Sequence, residues 1–516
     1  MSKENMSKVD SAWLHMDDPT NLMMINGFFQ FDGTLDYARV RATLEHRWLR
    51  FRRFRQRVVE SRLPWRPSAW EDDPHFDIDA HLHRIALPAP GDDAALKEVV
   101  NFLASTPLDF SKPLWQFQII ENYKGGSLLF ARLHHCIADG IALMQVMLSL
   151  CDEEADAPWP VAPQAPARRK GGGLGSLVRP VGTAIAATRQ IVNESVDLLT
   201  HPGNVLELGK EAASYAAALG RVTLLSPDPK TALKGSLGVS KHAAWTDVLP
   251  LEEVKALGQT LGGTVNDVLV TLVTGGLRRY LLGRGDNVQG LDVRAMMPVN
   301  LRAPEEAITL GNHFGLWVPA LPVGIADPLE RFLTVKLRMD QLKNSPEAFV
   351  TFAILQTMGW APVGVEDVGV WFFASKTSLV LTNVPGPRQK LYLAGQRIEN
   401  LMFWVPQSGR MGVGVSILSY AGGVTIGVIT DAGLAPDPET IVAGIHEEFA
   451  ALKQQVGQVA ASAYKGPVIL GNGDEHGRCH ATTQEGEPCK NRAMAGSAFC
   501  HVHARIVADS EDLQRL

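Results

Sequence analysis

An α/β fold in two units is predicted for this chain by three observations. The strand-like apolar run Leu128-Leu129-Phe130-Ala131-Arg132-Leu133 feeds directly into a helical pattern that starts near Ile141. The same alternation of short apolar runs and amphipathic periodicity returns after residue 240. Between the two lies a break, from Asp156-Ala157-Pro158-Trp159-Pro160 through Pro163, Pro166 and Arg168-Arg169-Lys170 to Gly171-Gly172-Gly173. Proline, clustered basic residues and a glycine run mark an exposed linker. A chain of 516 residues is long enough for two or more domains.

The elements follow in order. Residues 1–155 form the first unit. Its segment 36–53 reads as a helix with Leu44 and Trp48 on one face. Phe117-Gln118-Ile119-Ile120 and Leu128 to Leu133 read as paired strands around the turn Lys124-Gly125-Gly126. Residues 156–239 are the linker and a crossover. The stretch 174–225 is rich in Ala, Leu and Val and suggests two helices, broken near His201-Pro202-Gly203. Two readings stand for it: a helical bridge packed on the body of the protein, or an amphipathic surface that touches lipid, helped by Arg168-Arg169-Lys170. Residues 240–460 form the second unit, with helices over 251–261 and 265–282 and buried strands at Val293-Arg294-Ala295-Met296-Met297 and Leu379-Val380-Leu381. A hairpin turns at Ala421-Gly422-Gly423, and a helix over 438–456 closes the unit. A loose linker at 465–477 leads into a tail, 474–516.

Composition narrows the function. Apolar content of 46% and charged content of 20% are those of an ordinary globular protein. The net charge of −6 does not supply the basic surface that nucleic acid would call for. The polar start, Met1-Ser2-Lys3-Glu4-Asn5, does not read as a signal peptide. No run approaches the roughly 18 uninterrupted apolar residues of a membrane span. A cytoplasmic location is expected, with peripheral attachment to a membrane left open.

The chemistry concentrates at His134-His135-Cys136-Ile137-Ala138-Asp139-Gly140. Histidine is the side chain best suited to remove a proton near neutral pH. Adjacent histidines at a strand end point to opposite faces, so only one can face a given site. The other can anchor the turn. Asp139 either caps the following helix, whose apolar face is Ile141, Met144, Met147 and Leu148, or holds a buried cation. Cys136 invites a Cys-His nucleophile reading, but a catalytic thiolate needs a base aimed at it, and neighbours at a strand end point apart.

The tail carries a separate signal. Cys479, Cys489, Cys500 and His503 follow Cys-x9-Cys-x10-Cys-x2-His, with His480 and His501 as alternative donors. In a cytosolic chain such clustering favours metal over disulfide. The set suits a closed, tetrahedral, structural zinc, and polar filler around it could not build a core unaided.

The pattern His-His-x-x-x-Asp-Gly between a strand and a helix resembles the active-site motif of the CoA-dependent acyltransferase superfamily. Pro113-Leu114-Trp115, one hairpin ahead of it, resembles a signature of the wax ester synthase/diacylglycerol acyltransferases within that group. Gly263-Thr264-Val265-Asn266-Asp267-Val268 resembles their Asn-Asp motif. By residue chemistry alone, Thr264 and Asp267 also read as a capping box, whereas Asn266 is a poor helix former in the first turn. Met297-Pro298-Val299-Asn300-Leu301-Arg302, Gly311-Asn312-His313-Phe314-Gly315 and Thr382-Asn383-Val384-Pro385-Gly386-Pro387 match the same family in order. Asn300 stands where serine is more usual.

The resemblance, which covers roughly residues 8–455, implies two chloramphenicol-acetyltransferase-like units joined by a helical crossover, with the active site between them. It implies transfer of an acyl group from acyl-CoA to a long-chain alcohol or a diacylglycerol, with no catalytic cofactor. His135 is then the general base and Asn266 a donor to the oxyanion. His134 and Asp139 are structural, with Gly140, Asp267, Pro113, Leu114 and Trp115 supporting the motif. The motif aspartate pairs with an arginine, for which Arg294 is the candidate because it lies on a buried-looking strand. Two other readings remain: an acyltransferase taking its acyl group from a carrier-protein thioester, and a non-catalytic lipid-binding scaffold.

Overall fold

The computed structural model describes residues 3–60, 68–157, 205–302, 310–358, 374–407 and 409–463. The linker 158–173, the break at His201-Pro202-Gly203, and the tail with Cys479, Cys489, Cys500 and His503 lie outside the described residues.

Apolar alternation builds two large mixed sheets with helices against them. The first has six strands in the order Tyr392–Leu393, Gln396–Trp404, Met24–Phe31, Gly126–His134, Trp115–Tyr123, Leu82–Ala86. All nine residues of Gly126–His134 are buried, as expected for a strand paired on both sides and covered on both faces. The second sheet has eight strands, six of them along the path Phe314–Trp317, Val293–Asn300, Leu379–Pro385, Val413–Tyr420, Gly423–Asp431, Lys241–Trp245. The mixed α/β architecture is the one the sequence predicts.

Three hairpins close through two-residue turns in the left-handed region: Lys124 and Gly125 (φ 49° and 82°), Ala394 and Gly395 (50° and 82°), Ala421 and Gly422 (47° and 88°). Paired positive φ values match the strand twist, and a glycine at the second position carries them at least cost. The helix Val265–Gly283 is packed against Pro438–Ala463, and glycines let the two backbones approach. A Cβ at Gly276 would sit 2.9 Å from the Ile441 carbonyl oxygen.

Three departures from the sequence reading position the site. The hairpin of Tyr392–Leu393 and Gln396–Trp404 lies in the first sheet, with Gln396–Trp404 paired to Met24–Phe31, although the strands on either side of it in sequence, Leu379–Pro385 and Val413–Tyr420, belong to the second. Its Trp404 is buried between Phe28 and Trp245, at centroid distances of 5.8 and 5.6 Å, and donates Nε1–H to the Ala244 carbonyl at 3.1 Å. That tryptophan ties the two sheets at their seam. The segment read as one helix over 36–53 is α-helical only at Tyr37–Thr43. It widens to a π-turn at Leu44–Trp48 and tightens to a 3₁₀ turn at Arg52–Arg55, which brings Trp48 to stack on Phe54 at 3.7 Å. A short N-terminal helix, Lys8–His15, which the sequence reading passed over, packs against the helix Glu347–Met358. Among the described residues no helix is long and apolar enough to cross a membrane.

Candidate functional site

The site is built at the end of Gly126–His134. The His134 amide donates to the Leu114 carbonyl at 3.0 Å, and the His135 amide to the Met23 carbonyl at 2.7 Å. Pro113-Leu114-Trp115 is therefore the underside of the histidine turn. Trp115 is fully buried, donates Nε1–H to the Phe54 carbonyl at 2.9 Å and stacks on His81 at 4.3 Å.

The two histidines part as strand geometry requires. His134 is buried. Its Nδ1 accepts from the Cys136 amide at 3.1 Å, and its Nε2 lies 3.4 Å from an Asp17 oxygen. An accepting Nδ1 puts the proton of the neutral ring on Nε2, toward that carboxylate. His135 is half-buried and stacks on Trp13 at 4.1 Å with 16° between planes, with Phe314 at 6.1 Å. Removal from water pushes its pKa down to about 4, and the nearby Asp139 charge offsets only part of that. The ring is a neutral imidazole at physiological pH.

Asp139 does two jobs. Its Oδ1 caps the helix Gly140–Leu148 by accepting from the Ala142 amide at 3.0 Å. Its Oδ2 pairs with Arg302 Nη1 and accepts from the His313 amide at 2.9 Å. Arg302 Nη2 donates to the Gly311 carbonyl at 2.6 Å, which also accepts from the Asp139 amide at 3.3 Å. Gly311 has φ 116°, a backbone state that favours glycine. The expectation that Arg294 pairs with Asp139 is corrected: Arg294 lies 3.4 Å from Asp228 and donates its amide to that carboxylate at 3.0 Å.

The Asn-Asp motif separates into two parts. Asp267 is a cap: its Oδ2 accepts from the Thr264 amide at 2.8 Å, and its own amide donates to Thr264 Oγ1 at 3.2 Å. Asn266 is half-buried, and its Oδ1 accepts from Asn383 Nδ2 at 3.0 Å, linking two of the sequence motifs.

An apolar cavity lies at the seam of the two sheets. Leu133, Gly140, Met144, Met147, Phe403 and Val384 are among its lining residues. A Cβ at Gly140 would touch nothing within 4 Å, so that position opens onto space. Leu133 and Gly140, which stand on either side of the histidine turn, both line the cavity. Cys136 is fully buried, and burial raises its thiol pKa well above the ordinary value, which disfavours a thiolate there.

Sequence reasoning missed Trp13, Asp17 and the choice of arginine. Arg302, Asn312 and Phe314 stood inside quoted motifs without an assigned role. Among the described residues no group of three or more His, Cys, Asp or Glu could hold a metal ion.

Losing one member of a buried ion pair leaves the other charge uncompensated. Arg302→Met should cost about 3–5 kcal/mol of stability, read as a lower urea midpoint at unchanged slope. Adding Asp139→Asn should recover part of the loss. An unchanged midpoint in Arg302→Met would show that the pair does not hold the turn.

Comparison with known proteins agrees with this geometry. Residues 6–269 match the model of the wax ester synthase/diacylglycerol acyltransferase catalytic domain, and residues 310–453 that of the family's C-terminal domain. A putative diacylglycerol O-acyltransferase of Mycobacterium tuberculosis is 29% identical over 465 residues, covering 86% of this chain and 89% of that protein. A probable diacylglycerol O-acyltransferase of the same organism is 28% identical over 412 residues, covering 78% and 84%. The solved wax ester synthase/diacylglycerol acyltransferase of Marinobacter aquaeolei VT8 shares the fold with TM-score 0.63 at 20% identity, over 88% of this chain and all of that one. A condensation domain of the calcium-dependent antibiotic synthetase aligns with TM-score 0.55 at 15% identity, over 87% and 97%. With both of its domain models matched in order across most of the chain, this protein is an O-acyltransferase and belongs to the wax ester synthase/diacylglycerol acyltransferase family.

Proposed function

We propose that this enzyme moves a fatty acyl group from acyl-CoA to the hydroxyl of a long-chain alcohol or a diacylglycerol, with His135 as general base. The observation that carries the reading is a neutral, half-buried imidazole in a turn whose flanking residues, Leu133 and Gly140, line an apolar cavity at the seam of the two sheets. A long-chain hydroxyl is a poor nucleophile until it begins to lose its proton. His135 Nε2 accepts that proton as the oxygen attacks the thioester carbonyl. The C–O bond forms, the C–S bond breaks, and the proton passes from His135 to the departing thiolate. A base with so low a pKa is weak, so proton transfer accompanies bond formation and no free alkoxide is released. The step supplies about 10²–10⁴-fold in rate. Asn266, its Oδ1 already engaged by Asn383, offers its Nδ2–H to the oxyanion.

Both kinds of acceptor, long-chain alcohol and diacylglycerol, reside in lipid. Contact with a membrane or lipid-droplet surface is part of the proposal, supported by Leu219 and Leu224, exposed on the helix Val205–Leu224. The purified protein should release CoA thiol from palmitoyl-CoA only when hexadecanol or diolein is present in vesicles, form the matching ester, and float with those vesicles. His135→Ala should cut both thiol and ester by about 10²–10⁴-fold. Because the neutral ring is the active form, kcat/KM should stay level from pH 8 to about 5 and fall only toward pH 4. Full turnover in His135→Ala, or a requirement for a carrier-protein thioester, contradicts the reading.

We also propose that Cys479, Cys489, Cys500 and His503 hold a structural zinc. The support is the donor set and the close Cys-x2-His pair. The full chain should carry near-stoichiometric zinc that Cys489→Ser removes, with turnover retained. A zinc-free chain with intact cysteines would overturn the assignment.

A further inference from the structure

The helix Lys8–His15 reaches His135 by two routes. Asp10 and Trp13 are three residues apart and so share one helical face. Trp13 lies flat against the His135 ring. Asp10, buried, accepts at a single oxygen from the Asn312 amide at 3.1 Å and from Asn312 Nδ2 at 2.8 Å. The same Nδ2 donates to the His135 carbonyl at 3.0 Å. A carboxylate can only accept, so it dictates which end of the Asn312 amide faces it. Once Nδ2 is turned to Asp10, its second hydrogen is left for the peptide oxygen of His135. The aspartate thus sets the position of the histidine backbone while the tryptophan sets the plane of its ring.

A bland packing role does not require this arrangement. Burying a carboxylate is costly, and its pKa is raised by that burial. An apolar residue would fasten a short helix at less cost. The ionisable groups around the imidazole also include Asp139, His134 and Cys136, and none of them fixes the ring plane.

We propose that Asp10 and Trp13 are positioning residues for His135, and that the N-terminal helix is a clamp that holds the base in its reactive pose. The inference rests on His135 being the base. It says that catalysis depends on a segment more than a hundred residues away in sequence.

The test is steady-state kinetics on full-length Asp10→Leu, Asp10→Asn, Trp13→Leu, Trp13→Phe and His135→Ala, each with its melting temperature. Asp10→Leu and Trp13→Leu should lower kcat by about 10- to 100-fold, the scale of a misplacement near 1 Å, with KM for palmitoyl-CoA little changed. Asp10→Asn keeps an acceptor oxygen and Trp13→Phe keeps a stacking ring, so both should regain most of the loss. In a His135→Ala background neither leucine variant should lower the residual rate further. The clamp is overturned if both leucine variants keep the parental kcat, or if their losses persist without His135. If Asp10→Leu does not fold, Trp13→Leu decides the matter. An active His135→Ala would instead defeat the assignment of the base, a separate outcome.

Discussion

The buried pair between Asp139 and Arg302 is the interaction on which the site depends. It joins the turn that carries both histidines to the segment following Val293–Asn300 in the second sheet. Around it, Gly311 and His313 add backbone contacts to the same aspartate. Two charges taken out of water must satisfy each other closely or the fold loses several kcal/mol. Their mutual need therefore fixes the distance between the two sheets beside His135, the proposed base. Trp404 fastens the same seam farther along by packing against both Phe28 and Trp245.

A dry seam has a consequence for chemistry. Desolvation keeps the His135 ring unprotonated, and the buried Asp139 charge returns only part of the lost basicity. The same exclusion of water protects a thioester from hydrolysis and gives an acyl or alkyl chain an apolar berth. Cys136 is fully buried, and burial raises its thiol pKa, so the environment that suits a neutral base disfavours a neighbouring thiolate.

Much of this was legible in the sequence, because short-range rules governed it. The hairpin turns at Gly125 and Gly422, the capping box of Thr264 and Asp267, and the divergence of the two histidines all follow from local geometry. The ordered motifs pointed to the family. What stayed hidden was long-range pairing. Arg294 and Arg302 have the same parity along one strand direction, so alternation could not separate them. They stand eight residues, or about 26 Å, apart along an extended chain, and only the fold shows which end reaches Asp139. The strand Gln396–Trp404 was not picked out from the sequence, and nothing in its local pattern names Met24–Phe31 as its partner. The role of Asp10 and Trp13 was hidden because a short amphipathic helix gives no sign of what its polar residue holds.

The account makes His135 a proton acceptor and the substrate hydroxyl the attacking group, with no acyl group ever resting on the protein. Intact-mass measurement of the enzyme incubated with palmitoyl-CoA and no acceptor alcohol tests this most directly. An unmodified chain mass, with no stoichiometric burst of free CoA, is the predicted result. A chain heavier by one palmitoyl group, traced to Cys136 or to either histidine, would contradict it.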